Sequence, residues 1–120
     1  MPARIQIRSK IWIEVEGQPV FGKGRRSLLE AIERTGSINR AAMALRISYR
    51  KAWGYITAME QRLGIKLVER HVGGRHGGGT VLTEDARAFL HRYEQLEKGI
   101  DAFVDRRFQQ AFGPHPAVRS

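Results

Sequence analysis

Apolar and polar residues alternate through IQIRSKIWIEVEGQPVFG, residues 5–22. Ile5, Ile7, Ile11, Ile13 and Val15 interleave with polar side chains, apart from a break near Ser9. A period of two predicts a strand, and Gly17-Gln18-Pro19 predicts a turn into a short partner at Val20-Phe21. The period then lengthens. In GRRSLLEAIERTG, Leu28, Leu29 and Ile32 share a helical face, and Gly36 supplies the C-terminal stop.

Two further helices follow closely. Ser37 caps INRAAMALR, whose inner face is Ile38, Ala41, Ala42 and Leu45, and the small alanines admit a close neighbour. Ser48 opens YRKAWGYITAMEQRL, closed by Gly64, with Ala52, Ile56, Met59 and Leu63 on one core side and Trp53 beside them. Only Arg46 and Ile47 separate Leu45 from the Ser48 cap. Helices joined so tightly cross steeply, which predicts a helix-turn-helix.

IKLVERHV then predicts a strand and TVLT a short returning strand, around a loop in which five glycines fall between Gly73 and Gly79. Thr83 caps a last helix from about Glu84 to Phe112, on the order of 40 Å long. Along it Ala86, Phe89, Tyr93, Leu96, Ile100 and Phe103 recur at spacings of three and four, a heptad-like seam. Phe89 and Tyr93 are expected to pack within the protomer. Leu96, Ile100, Phe103, Val104 and Phe108 lie further out, and a symmetric helix-to-helix dimer is the economical cover for them. The expected organisation is a winged helix-turn-helix domain with an N-terminal strand region over 1–83, a dimerisation helix over 84–113, and a disordered tail over 114–120.

Charge narrows the function. The chain of 120 residues carries a net charge of +9, with 15 Lys+Arg against 6 Asp+Glu in residues 1–83 and 6 of each in residues 84–120. Segregated positive charge favours a polyanion, and nucleic acid over membrane because no basic amphipathic helix stands out; a basic solvated surface is the plainer alternative. The sequence lacks cysteine, which excludes disulfides and thiolate metal sites. MPARIQIRSK has no long apolar run, so no signal peptide is expected, and a soluble cytoplasmic protein is the default.

In a helix-turn-helix the second helix enters the major groove N-terminus first. Its outward stripe here is Arg50, Gly54, Thr57 and Gln61, flanked by Tyr49, Lys51 and Tyr55. An arginine pairs bidentately with guanine, Gly54 permits close approach, and Ser48, Tyr49 and Lys51 suit phosphates. The glycine-rich stretch RHVGGRHGGGTVLT invites two enzymatic readings, and both lack their partners. A phosphate loop needs Gly-Lys-Ser/Thr opening a helix, whereas Thr80 opens a strand. His76-Gly77-Gly78-Gly79 matches an esterase oxyanion loop by letter, but no serine sits in a nucleophile elbow. A hairpin after a recognition helix is instead a wing, its glycines exposing amides to phosphate and Arg75 reaching a narrow minor groove, assisted by protonated His76. His71, His76, His91 and His115 lack Cys or carboxylate partners at ligand spacing, so no metal is expected; the carboxylates of the last helix alternate with basic residues as a solvated face, and with no acid–base pair neither a cofactor nor catalysis is expected.

TGSINRAAMALRISYRKAWGYITAMEQRLG followed by LVERHVGGRHGGGTVLTEDA resembles the N-terminal DNA-binding domain of the molybdate-responsive ModE regulators, which are related there to LysR-type regulators. The most specific parts are Gly36-Ser37-Ile38, Ser48-Tyr49 with Ala52-Trp53, and the wing glycines before Leu82-Thr83. The resemblance spans residues 4–110 and implies a winged helix-turn-helix homodimer, joined through its strand region and last helix, on a palindromic operator. It carries DNA contact onto Ser48, Tyr49, Arg50 and Lys51, and onto Arg75 in the wing. Arg46 departs from it, standing where a glycine commonly ends the second helix. The molybdate-binding module of full-length members does not follow within these residues, so no molybdate site is carried over.

The expected fold is thus mainly α with a small β component, a winged helix-turn-helix with a long C-terminal dimerisation helix. The expected DNA-binding residues are Ser37, Ser48, Tyr49, Arg50, Lys51, Gly54, Tyr55, Arg75, His76 and Thr80. The expected dimer residues are Tyr93, Leu96, Ile100, Phe103 and Val104. A sequence-specific transcriptional regulator of molybdenum or other metal metabolism genes is the leading reading. A non-specific architectural DNA-binding protein, or a module served by a separate effector-sensing partner, stays open beside it.

Overall fold

The computed structural model describes residues 4–71 and 79–113. Arg75, His76 and the wing-tip glycines 73, 74, 77 and 78 lie outside the described residues, as does the tail over 114–120. The chain runs β1 (Ile13–Val15), β2 (Gln18–Phe21), α1 (Lys23–Thr35), α2 (Ile38–Ala44), α3 (Tyr49–Leu63), β3 (Val68–His71), β4 (Gly79–Leu82) and α4 (Glu84–Phe112). This is a winged helix-turn-helix, mostly helical with small antiparallel sheets.

The first strand is shorter than its alternation predicts. Only Ile13–Val15 pair with β2, and the register shifts between Ile13 and Glu14. The turn also falls one residue early, at Glu16-Gly17, both with positive φ (50° and 78°), while Gln18 and Pro19 belong to β2. A two-residue turn with both φ values positive matches the strand twist, and glycine takes the second place without strain. Residues 5–11 find no strand neighbour because β2 ends at Phe21, which already pairs with Ile13.

The expected serine caps open α2 and α3 and the expected glycines close α1 and α3, whereas α2 ends at Ala44, short of the expected Arg46. Ser37 Oγ accepts a hydrogen bond from the Arg40 N–H at 3.1 Å, and Ser48 Oγ accepts one from the Lys51 N–H at 3.0 Å. Gly36 and Gly64 both close their helices in the left-handed region at φ 70°. Thr83 works in two directions: its hydroxyl donates to the Lys66 carbonyl at 2.6 Å and accepts from the Ala86 N–H at 3.0 Å. It thereby ties the start of α4 to the approach of β3.

Two compact units divide the chain, one of Trp12–His91 and the other of Met1–Ile11 with Arg92–Ser120. The first has its core where helical and strand faces converge: Phe21, Leu28, Leu29, Ile32, Ile56, Met59, Leu67 and Leu82 are buried. Ala41 and Ala42 of α2 and Ala52 of α3 are fully buried, small side chains at sites where the neighbouring elements pack closely. Phe21 meets Phe89 edge-to-face with centroids 5.0 Å apart. In the second unit the segment before β1 runs along α4 in the opposite sense. Tyr93 OH donates to the Ile11 carbonyl at 2.9 Å, Ser9 Oγ donates to Asp101 at 2.8 Å, and Arg4 to Arg8 face Asp105 and Phe108.

Candidate nucleic-acid interface

The inner face of α3 is committed to the core, with Ala52, Ile56 and Met59 buried, so the opposite face is free. Arg50, Gly54, Thr57 and Gln61 are all exposed on it, and Lys51 and Tyr49 are exposed at its start. Tyr49 leans on Trp53 edge-to-face at 6.4 Å, which fixes the ring while leaving about half of it open to solvent. No carboxylate among the described residues pairs with Arg50 or Lys51. Gly54 has open space where a Cβ would stand, so its lack of a side chain serves no packing within the chain.

Beside this helix lies a cleft of about 520 Å³, lined by Ser37 and Asn39 of the α2 start, Tyr49, and Arg70 and Thr80 of the wing strands. The wing reaches it through the backbone. The Thr80 N–H donates to the Gly36 carbonyl at 2.9 Å, and a Cβ on Gly79 would sit 2.8 Å from that same oxygen. Any side chain at 79 therefore pushes β4 off the α1–α2 turn. The role of Gly79 is close approach inside the fold, distinct from the amide exposure expected of the loop glycines.

Of the residues singled out by sequence, Ser37, Tyr49 and Thr80 meet in the cleft, and Arg50, Lys51 and Gly54 lie on the exposed helix face. Ser37 and Ser48 have their hydroxyls engaged as helix caps. Tyr55 is half-buried, with the Arg25 guanidinium 4.8 Å and Lys51 Nζ 5.9 Å from its ring centroid. Sequence reasoning missed Arg70 and Asn39. The period of two in β3 puts Arg70 on the face of buried Val68, and that signal was available. On α4, Leu96 and Phe103 are about half exposed, and Ile100 and Val104 are half-buried. Tyr93, also in the expected dimer set, is 2% exposed, and its hydroxyl donates to the Ile11 carbonyl of the same chain.

The pattern of bacterial regulatory helix-turn-helix proteins of the lysR family matches residues 26–87, from α1 through the wing to the start of α4. The chain belongs to this family. Similarity to solved lysR-family folds agrees: a CbnR_DBD–DNA complex superposes with a TM-score of 0.54 at 26% identity, covering 74% of this chain and 98% of that one. CbnR, a LysR family transcriptional regulator, gives 0.52 at 25% identity over 72% of this chain and 29% of its own. In sequence the lysR-family chain is similar to molybdenum transport protein ModE of Azotobacter vinelandii, 48% identical over 79 residues, which are 66% of this chain and 29% of that one. It is also similar to DNA-binding transcriptional dual regulator ModE of Escherichia coli K12, 40% identical over 93 residues, or 73% and 36%. The chain thus spans about a third of the length of these curated relatives. No helix among the described residues is long and apolar enough to cross a membrane.

Proposed function

We propose that this lysR-family chain is a ModE-like transcriptional regulator that binds duplex DNA sequence-specifically as a homodimer and performs no catalysis. The observation that carries the reading is the free face of α3, where Arg50 and Lys51 stand exposed and unneutralised beside a cleft floored by the wing strands. A helix with one face locked in the core and a basic opposite face fits the major groove, and an adjacent two-stranded wing fits the flanking backbone. Arg50 reads a base edge, Tyr49 and Lys51 hold phosphates, and Thr80, Arg75 and His76 belong to the wing contact. The exposed Leu96 and Phe103, with Ile100 and Val104, form the face through which two protomers pair, so the operator is an inverted repeat. The names of the ModE relatives support genes of molybdenum or other metal metabolism as targets.

The test uses duplexes enriched from genomic DNA by binding to the purified protein. Arg50→Ala is expected to cost about 1–3 kcal/mol on an enriched duplex and to relax preference at one base pair per half-site. Equal loss on enriched and scrambled duplexes would contradict the base-reading role of Arg50.

A further inference from the structure

Two cations share one aromatic ring at the edge of α3. The Arg25 guanidinium comes from α1, which lies outside the α2–α3 motif, and stands 4.8 Å from the Tyr55 centroid; Lys51 Nζ stands 5.9 Å from it. Lys51 and Tyr55 are four residues apart on α3 and so lie on one helical face. The negative face of the ring attracts each cation. The cations nevertheless repel one another, and no carboxylate among the described residues pairs with either. Arg25 and Tyr55 are half-buried, so the ring is a fixed platform, while Lys51 is exposed. An arrangement of two held, uncompensated positive charges is completed by an anion from outside. Arg50 and Gly54 on the exposed helix face are the sequence neighbours of Lys51 and Tyr55, which sets this pair where a duplex backbone would pass.

We infer that Arg25 and Lys51, held on the Tyr55 ring, grip the phosphate backbone of duplex DNA at the flank of the recognition helix, each neutralising one phosphate, an inference that rests on the DNA-binding reading above. Arg25 is then a DNA contact supplied by α1. Tyr55 is a positioning residue that acts through the two cations and does not itself read the duplex.

The experiment measures binding of a fluorescein-labelled, mixed-sequence duplex by anisotropy across a salt series, with far-UV circular dichroism confirming the fold of each variant. Each phosphate contact contributes about 0.9 to the slope of log K against log salt. Arg25→Gln is expected to lower the slope by about that amount, which is about eightfold weaker binding at about 0.1 M salt. Lys51→Gln should lower it similarly. Tyr55→Leu should lower the slope at least as far as Arg25→Gln does, Tyr55→Phe should retain the wild-type slope, and Arg25→Gln combined with Tyr55→Leu should lose no more than Tyr55→Leu alone. Wild-type slope and affinity in Arg25→Gln would overturn the inference while leaving DNA binding intact. Full slope in Tyr55→Leu would overturn the positioning role. Absence of duplex binding by the wild-type protein would overturn both the inference and the function on which it rests.

Discussion

Arg46 adopts φ 59°, the left-handed conformation that glycine takes at no steric cost. The turn between α2 and α3 therefore has the shape that a glycine would give it. Hydrogen bonds fix that shape: the Arg46 N–H donates to the Met43 carbonyl at 3.1 Å and the Ile47 N–H to the Ala42 carbonyl at 3.0 Å. An L-residue in this region costs roughly 1–2 kcal/mol, and glycine gives back about 0.5–1 kcal/mol in unfolded-state entropy. Arg46→Gly is accordingly expected to stabilise the domain by up to about 1 kcal/mol, read as a higher midpoint in urea with an unchanged m value. A lower midpoint would mean that the arginine side chain supplies more than the turn loses. The sequence made this position conspicuous but did not disclose its φ, since an arginine carries no conformational signature comparable to glycine.

At the scale of elements, what was legible followed from local chemistry. The Ser37, Ser48 and Thr83 caps and the Gly36 and Gly64 stops bound their helices as expected, because each signal acts within one turn of its own residue. The first strand was overcalled because alternation reports a two-faced environment and not a hydrogen-bonded neighbour. Ile5 and Ile7 alternate in a segment that lies along α4, where they stay more than a third exposed. The docking of β4 on Gly36 and the gathering of Arg25 with Tyr55 were illegible, since both join residues thirty or more positions apart. For α3 itself the open space at Gly54 makes a sharp prediction. Gly54→Ala should stabilise the helix by about 1 kcal/mol, seen as a raised Tm. It should at the same time weaken binding to enriched duplex, because the added methyl stands on the exposed face that the proposed function sets in the major groove. A variant that is both more stable and unimpaired would remove Gly54 from the contact.

At the scale of the whole molecule, specificity needs direct base contacts in addition to phosphate contacts. The +9 charge alone gives sequence-independent attraction, which falls steeply with salt. What distinguishes a regulator from an architectural protein is the added preference from the α3 face, repeated twice if two protomers bind together. The most direct measurement compares the affinity of the purified wild-type protein for its enriched genomic duplex with that for a scrambled duplex of equal length and composition, at physiological salt. The proposed function predicts an enriched sequence of two inverted half-sites, about one helical turn apart or a multiple of it, and a preference of about a thousandfold or more. Equal affinity for the two duplexes, with the same salt dependence, would contradict it and leave a non-specific DNA-binding protein in its place.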